Sequence, residues 1–139
     1  ILDRLWFDEF DDRIINLHLG MSPYYRGSAT LFWPFYNDEL DYLGITIHIA
    51  TEQVDAGDIL KIVTPDIEDE DNYYDITNKL IQKSIKKFSS VVYDYHAGDI
   101  KKVPQDITKQ KYYYKKKDFT EKCLKKISTK MWGGNAISS

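Results

Sequence analysis

Hydrophobic and polar positions along this chain follow two periods, and the switches between them define the elements. Ile14-Ile15-Asn16-Leu17-His18 is a short apolar run ending in polar groups, the pattern of a buried strand that delivers side chains to its C-terminal end. Leu19 to Gly27 reads as a loop punctuated by Gly20 and Pro23. Ser28 is placed to cap a helix running through Ala29, Leu31, Phe32 and Trp33 and broken or kinked at Pro34. After a polar connection from Asn37 to Tyr42, the β-branched run from Gly44 to Ala50 predicts a strand, and Ile59-Leu60-Lys61-Ile62-Val63 predicts another. The Thr51 to Asp58 connection between them is too short for a parallel crossover, so the two strands must be antiparallel.

Beyond the acidic loop from Pro65 to Asp71, Tyr73 or Tyr74, Thr77, Leu80, Ile81, Ile85, Phe88, Val92 and Tyr95 recur at helical spacing. A long amphipathic helix is predicted to about Tyr95, stopped by Gly98, with the apolar stripe serving as core. Residues 99 to 117 are polar and Tyr-rich, with a short extended segment around Tyr112 to Tyr114. A last helix is expected with Asp118 as N-cap, Phe119, Cys123, Ile127 and Met131 on one face, and its end at Gly133-Gly134. The inventory is that of an α/β domain containing an antiparallel hairpin. The strand at Asn16 to His18 wants more neighbours than the chain supplies, and the chain opens on Ile1 rather than Met, so further strands are expected to precede it.

Composition narrows the class. The 139 residues suit a single domain, and one cysteine, Cys123, excludes an internal disulfide. No set of Cys and His has metal-ligand spacing, so no metal is expected. No apolar stretch approaches the roughly 18 residues that span a bilayer, and the acidic start (Asp3, Asp8, Glu9, Asp11, Asp12) does not read as a signal peptide. A cytoplasmic protein without a membrane partner is the expectation. The net charge of −3 hides an asymmetry: residues 1–100 carry −11, and residues 101–139, with 11 lysines against 3 acids, carry +8. Such a tail can mark a nucleic-acid partner, but a solvated helix face is the commoner origin and is preferred here.

Two residues stand out chemically. Asn16 and His18 flank Leu17 on one strand, so both side chains project to one face, roughly 6 to 7 Å apart along the backbone. A hydrogen-bond donor beside an imidazole at a strand's end is a usable catalytic pair, since ligands in open α/β sheets bind outside those ends. Alone, the pair is more often simply hydrogen-bonded in a core.

The wider pattern gives the pair a context. Asn-Leu-His (16–18) is followed by Ser-Pro-Tyr-Tyr-Arg-Gly (22–27), then by His48 with Asp55 seven residues on, in His-x6-Asp-x-Gly-x-Ile (48–59). From about Ile14 to Gly98, and more loosely to Gln105-Asp106 and Lys109, the sequence resembles the formyltransferases that use 10-formyltetrahydrofolate. These act on glycinamide ribonucleotide, methionyl-tRNA or amino sugars. The resemblance implies the C-terminal part of a formyltransferase-type, Rossmann-like α/β fold with a mixed sheet, spanning residues 1–100, followed by a basic extension over 101–139.

It also implies roles. Asn16, His18 and Asp55 correspond to the family's catalytic constellation, and Thr51, Glu52, Gln53, Val54 and Asp55 to its folate-binding loop. Tyr25 and Arg26 are expected to contact substrate, although Arg26 serves as readily to tie down its own loop. His48, Gly27 and Gly57 are expected to support the site, Gly27 through an unusual φ. Asp55 is expected to raise the pKa of His18 by its charge. His96 matches nothing catalytic. The implied co-substrate is 10-formyltetrahydrofolate, without a metal. The aromatic stretch at Tyr24-Tyr25 and Leu31 to Phe35 favours a nucleotide-linked amino sugar of a polysaccharide pathway as formyl acceptor. Methionyl-tRNA, glycinamide ribonucleotide and a non-catalytic binding fragment remain the alternatives. A homodimer is left open, and nucleic acid is not expected.

Overall fold

The computed structural model of the chain describes residues 9–10, 13–53 and 55–126. Strands β1 (Ile15–His18), β3 (Ile45–Ile49) and β4 (Ile59–Val63) form a sheet of order β1-β3-β4, antiparallel throughout. Strand β2 (Tyr25–Gly27) pairs in parallel with β5 (Tyr112–Tyr114) in a separate two-stranded sheet. The helices are α1 (Trp33–Tyr36), α2 (Tyr73–His96) and α3 (Glu121–Lys126). The architecture is mixed α/β, and no helix among the described residues is long and apolar enough to cross a membrane.

Every residue of β3 is buried, and the two-residue period divides its faces. Ile45, Ile47 and Ile49 join Leu43, Leu60, Val63, Ile76, Leu80 and Val91 in the apolar core between sheet and α2. Thr46 and His48 face the opposite way, where the register sets Thr46 opposite His18 and His48 opposite Asn16. A bulge between Ile47 and His48 shifts the β3–β4 register at the same point; bulges re-aim side chains in this manner near functional sites.

Helix α2 begins where its chemistry directs. Asn72 caps it, accepting a 2.9 Å hydrogen bond from the Asp75 backbone N–H, while Asp75 accepts from Asn72 N at 3.1 Å. The helix ends before Gly98, which takes φ +81°. Its buried stripe differs from the expected one in its middle: Ser84 and Val91 are buried and Ile85 is 62% exposed, so the contact line runs one residue earlier than Ile85 and Val92 suggest.

Three further expectations are corrected. Leu19 to Gly27 is not all loop, because Tyr25–Gly27 is strand β2, made by pairing with a segment more than eighty residues away. No helix starts at Ser28: Ala29 sits at φ +57°, outside the helical region, and Pro34 lies in the first turn of α1 and so opens that helix instead of breaking it. Asp118 closes a 3-10 turn over Lys116–Asp118, and the capping hydroxyl before α3 is that of Thr120, which accepts from Cys123 N at 3.4 Å. Ile127, Met131, Gly133 and Gly134 lie outside the described residues. The residues after Gly98 return to the sheet. Val103 and Ile59 exchange backbone hydrogen bonds of 2.8 and 2.7 Å, and the Tyr114 ring stacks on Trp33 at 4.0 Å and 8°.

Candidate active site

The site forms where the polar face of β1 and β3 meets the loop between β3 and β4. Cross-strand pairing brings Asn16 Nδ2 to 3.5 Å from His48 Nε2, and His48 Nδ1 lies 2.9 Å from the Ile49 carbonyl oxygen. A carbonyl only accepts, so Nδ1 carries a proton, and Nε2 stands between the Asn16 amide and, at 3.7 Å, Asp55 Oδ1. His48 therefore orients Asn16, whose own residue is exposed at the sheet surface.

Asp55 is the hub of the cluster. Its Oδ2 lies 3.3 Å from His18 Nδ1 and its Oδ1 lies 3.7 Å from His48 Nε2, with both imidazoles buried and the carboxylate 16% exposed. The loop delivers Asp55 with φ +57°, a left-handed conformation that Asp tolerates better than most residues. Two residues on, Gly57 presses on the end of β3, and a Cβ there would run into the Ile49 carbonyl. Burial raises the Asp55 pKa, but the imidazoles of His48 and His18 and the charge of Arg26 outweigh it, so the carboxyl is held below its ordinary value.

For His18 the balance goes the other way. Burial lowers its pKa, and the opposing pull of Asp55 and the Tyr25 carbonyl leaves the net value below the ordinary one. Asp55 acts in the expected direction, and desolvation of the ring is the larger effect that sets the net value. His18 Nε2 lies 3.4 Å from the Tyr25 carbonyl oxygen. Both ring nitrogens thus face acceptors, an arrangement only the imidazolium satisfies in full. The site is built to receive a proton, while burial keeps the ring from holding one permanently.

The other expected site residues divide. Thr51, Glu52 and Gln53 are exposed on the loop, with Thr51 Oγ1 donating to the Gln53 carbonyl at 2.9 Å, and Val54 lies outside the described residues. Gly27 takes φ +97°, and a Cβ there would meet the Tyr114 carbonyl across the β2–β5 pair. Arg26 is turned toward the C-terminal segment, its Nη1 donating to Gln110 Oε1 at 3.0 Å and its guanidinium 5.7 Å from the Tyr113 ring centre. Tyr25, expected to contact substrate, has an enclosed side chain: the residue is 0% exposed, donating from its hydroxyl to Glu39 Oε1 at 2.8 Å and accepting from Asn37 Nδ2 at 3.0 Å. It is the Tyr25 carbonyl that faces the site. Among the described residues no group of three or more His, Cys, Asp or Glu side chains is arranged to hold a metal ion.

Two contributors were not singled out by sequence. Gly20 lies so close to the imidazole that a Cβ would stand 2.6 Å from His18 Nε2 and 2.5 Å from Thr30 Oγ1. Its carbonyl accepts from Thr46 Oγ1 at 2.7 Å, which locks the loop after β1 onto β3. Gln105 donates to the carbonyls of Asp55 at 3.0 Å and Gly57 at 2.6 Å. The glycine punctuation at position 20 and the loose family match at Gln105 were the available signals. On the other side of His18, a cavity of about 300 Å³ is lined by Leu19, Thr30, Phe32, Tyr73 and Phe119 among others.

The formyl transferase family model matches residues 1–92. The chain belongs to the formyl transferase family. It is 35% identical over 92 residues to the methionyl-tRNA formyltransferase of Hydrogenobaculum sp. (strain Y04AAS1), covering 66% of this chain and 30% of that protein. The corresponding enzyme of Halalkalibacterium halodurans is also 35% identical over 92 residues, with 29% of its length covered. The chain thus spans less than a third of these curated relatives. Among solved structures, the formyltransferase PseJ from Anoxybacillus kamchatkensis, in complex with UDP-4,6-dideoxy-4-formamido-L-AltNAc and tetrahydrofolate, is 25% identical. It superposes with a TM-score of 0.67 over 95% of this chain and 67% of that one. The Helicobacter canadensis N-formyltransferase, complexed with folinic acid and dTDP-3-aminofucose, shares the fold at 21% identity, a TM-score of 0.65 and coverage of 78% and 40%.

Proposed function

We propose that this chain is the reacting part of an N-formyltransferase that moves a formyl group from 10-formyltetrahydrofolate to the amine of a nucleotide-linked amino sugar. The observation that carries the reading is the convergence of Asn16, His18 and Asp55, with the His18 imidazole 3.3 Å from the carboxylate and held between two acceptors. The donor set fits such a co-substrate: an exposed amide, an imidazole that can take up a proton, an ionised carboxylate, and exposed residues 51–53 on the same loop. When bound, 10-formyltetrahydrofolate supplies the formyl carbon in acyl-donor form. Thr51, Glu52, Gln53, Val54 and Asp55 would hold it.

Within this chain, Asn16 Nδ2 presents an N–H donor to the carbonyl oxygen on which negative charge develops, a contact worth about 3 to 4 kcal/mol, and protonated His18, its two N–H groups held by Asp55 and the Tyr25 carbonyl, adds positive charge beside that oxygen. Asp55 stabilises the imidazolium while that charge builds and accepts the proton shed by the attacking amine; as the formyl carbon's bond to the donor nitrogen breaks, that nitrogen would take up a proton delivered from Asp55 or through His18. Positive charge on His18 is favoured only while negative charge stands beside it, which suits a ring whose resting pKa is low. The cavity lined in part by His18 is the proposed approach for the acceptor amine, and Arg26, whose charge acts on His18 and Asp55, the proposed cation for an anionic substituent. Residues 1–100 carry the reacting groups and residues 101–139 form a basic extension. The cytoplasm, where folates and nucleotide sugars are made, is the proposed location.

The amino-sugar acceptor is favoured by PseJ, which matches along 95% of this chain and whose structure holds a formamido sugar nucleotide. Methionyl-tRNA is the second reading, favoured by the 35% identity to enzymes of that name. The test is turnover of the full-length protein with 10-formyltetrahydrofolate and either a nucleoside-diphosphate 4-amino-4,6-dideoxyhexose or methionyl-tRNA, followed by mass spectrometry. Formylation of the sugar, lost in Asn16→Ala, His18→Ala and Asp55→Ala, is expected. Formylation of tRNA alone overturns the acceptor, and undiminished turnover in all three variants overturns the roles.

A further inference from the structure

Gln105 lies beyond the family match at residues 1–92, yet its side chain reaches the heart of the site. Nε2 donates to the Asp55 carbonyl at 3.0 Å and to the Gly57 carbonyl at 2.6 Å, spanning the turn that carries the carboxylate. The amide orientation is unambiguous, because Oε1 in that position would face two acceptors. Gln105 is itself fixed in place: two residues earlier, Val103 exchanges paired backbone hydrogen bonds of 2.7 and 2.8 Å with Ile59, the first residue of β4. The loop it grips is asymmetric. At its far end Gly57 is pressed against β3 and the Asp58 carbonyl accepts from Ile49 N at 2.8 Å, whereas residues 51–53 are exposed. Between the two stands Asp55, in a left-handed conformation that the surrounding structure must maintain.

We infer that Gln105 is a positioning residue for Asp55: by bridging the carbonyls on the turn, it fixes the carboxylate against His18 from beyond the residues that the family model matches. The inference rests on the proposed role of Asp55. With the bridge removed, the φ +57° turn has lost its brace, and a drift of the order of 1 Å in a reacting group costs about a hundredfold in rate. The groups facing His18 from each packed element are Asp55 on the loop, His48 on β3, Arg26 on β2 and the Tyr25 carbonyl. Of these, loosening the loop moves Asp55, and His18 then loses the interaction that raises its pKa.

The experiment compares Gln105→Met, which keeps length but cannot donate, with Gln105→Lys, which restores a donor, in the full-length protein. Turnover is measured with 10-formyltetrahydrofolate and the amino-sugar nucleotide, and His18 titration by histidine ¹⁵N NMR. Gln105→Met is expected to lower kcat about 10- to 100-fold with the acceptor KM little changed, and to move the His18 titration to lower pH. Gln105→Lys is expected to recover much of both. An unchanged kcat and unchanged His18 titration in Gln105→Met, with Asp55→Asn inactive, overturns the inference and leaves the reaction intact. Full activity in Asp55→Asn overturns the reaction role instead, and the inference is then decided by the His18 titration, which reports the Asp55 to His18 distance without turnover. Should Gln105→Met fail to fold, Gln105→Glu, which presents an acceptor to the same carbonyls, takes its place with the same two readings.

Discussion

His18 Nδ1 stands 3.3 Å from Asp55 Oδ2 while Nε2 of the same ring faces the Tyr25 carbonyl at 3.4 Å. The carboxylate is therefore the one charged group that draws the buried imidazole toward protonation, against burial and against His48 and Arg26.

Replacing Asp55 with Asn keeps the shape and removes the charge. The His18 titration is expected to move to still lower pH, because desolvation is then opposed only by the Tyr25 carbonyl. In the proposed reaction this removes both the proton acceptor and the stabiliser of the imidazolium, so kcat is expected to fall by about 10²- to 10⁴-fold. Histidine NMR and steady-state kinetics check the two halves separately. A His18 titration unaltered in Asp55→Asn contradicts the coupling.

Gly20→Ala tests the wall behind the imidazole. The added Cβ would lie 2.6 Å from His18 Nε2 and 2.5 Å from Thr30 Oγ1, closer than real contacts allow, so the ring or the loop must shift. Overpacking of this kind costs about 1 to 3 kcal/mol, to be read from denaturant midpoints. The displaced ring is expected to cost about a hundredfold in kcat. Gly98→Ala, at φ +81° with open space around it, is the control: it pays in backbone strain but leaves the site alone.

What could be read from sequence was what local pattern determines. The hairpin of β3 and β4 was legible because eight residues separate two β-branched runs, and α2 because its Gly98 stop and most of its apolar stripe are local. Strand β2 was not, since Tyr25 to Gly27 becomes a strand only through Tyr112 to Tyr114. The helix expected from Ser28 failed on Ala29, whose positive φ no propensity scale anticipates. In the site, Asn16 and His18 were legible as a pair from the two-residue period of a strand, and Asp55 only through the family resemblance that the His48 to Ile59 motif helps to carry. The direction of the His18 pKa was not, because burial is a property of the whole fold. Nor was Gln105's grip on the Asp55 loop, formed by residues about fifty apart in sequence.

His18 also predicts a pH dependence of stability. Its folded pKa lies below the ordinary 6.5, so as pH falls the unfolded chain takes up a proton before the folded one does. Stability is present in full above pH 6.5 and is lost progressively as pH drops from there through the folded value. Asp55, also depressed, adds a second loss in the same direction below 3.8. Urea midpoints measured about one unit above and one unit below the ordinary His value are expected to differ in the wild type, and to differ less in His18→Gln. An equal drop in both proteins removes His18 as its source.

Tyr25 separates a contact residue from a structural one. Its ring is enclosed, stacking on Tyr114 at 6.3 Å and 19°, and its hydroxyl links Glu39 to Asn37, which also donates to the Tyr114 hydroxyl at 2.9 Å. Tyr25→Phe leaves the backbone carbonyl opposite His18 in place and removes only the hydroxyl. The Asn37 amide and the Glu39 carboxylate lose a buried partner, which costs about 1 to 3 kcal/mol, while Lys111 still pairs with Glu39. The expected outcome is a lower unfolding midpoint, with kcat and acceptor KM close to those of the wild type. A substrate-contacting hydroxyl gives the reverse pattern, an unchanged midpoint with a raised KM, because lost uniform binding appears in KM alone. The two measurements on one variant therefore decide whether the aromatic pair after the catalytic strand reads the substrate or holds the C-terminal segment against it.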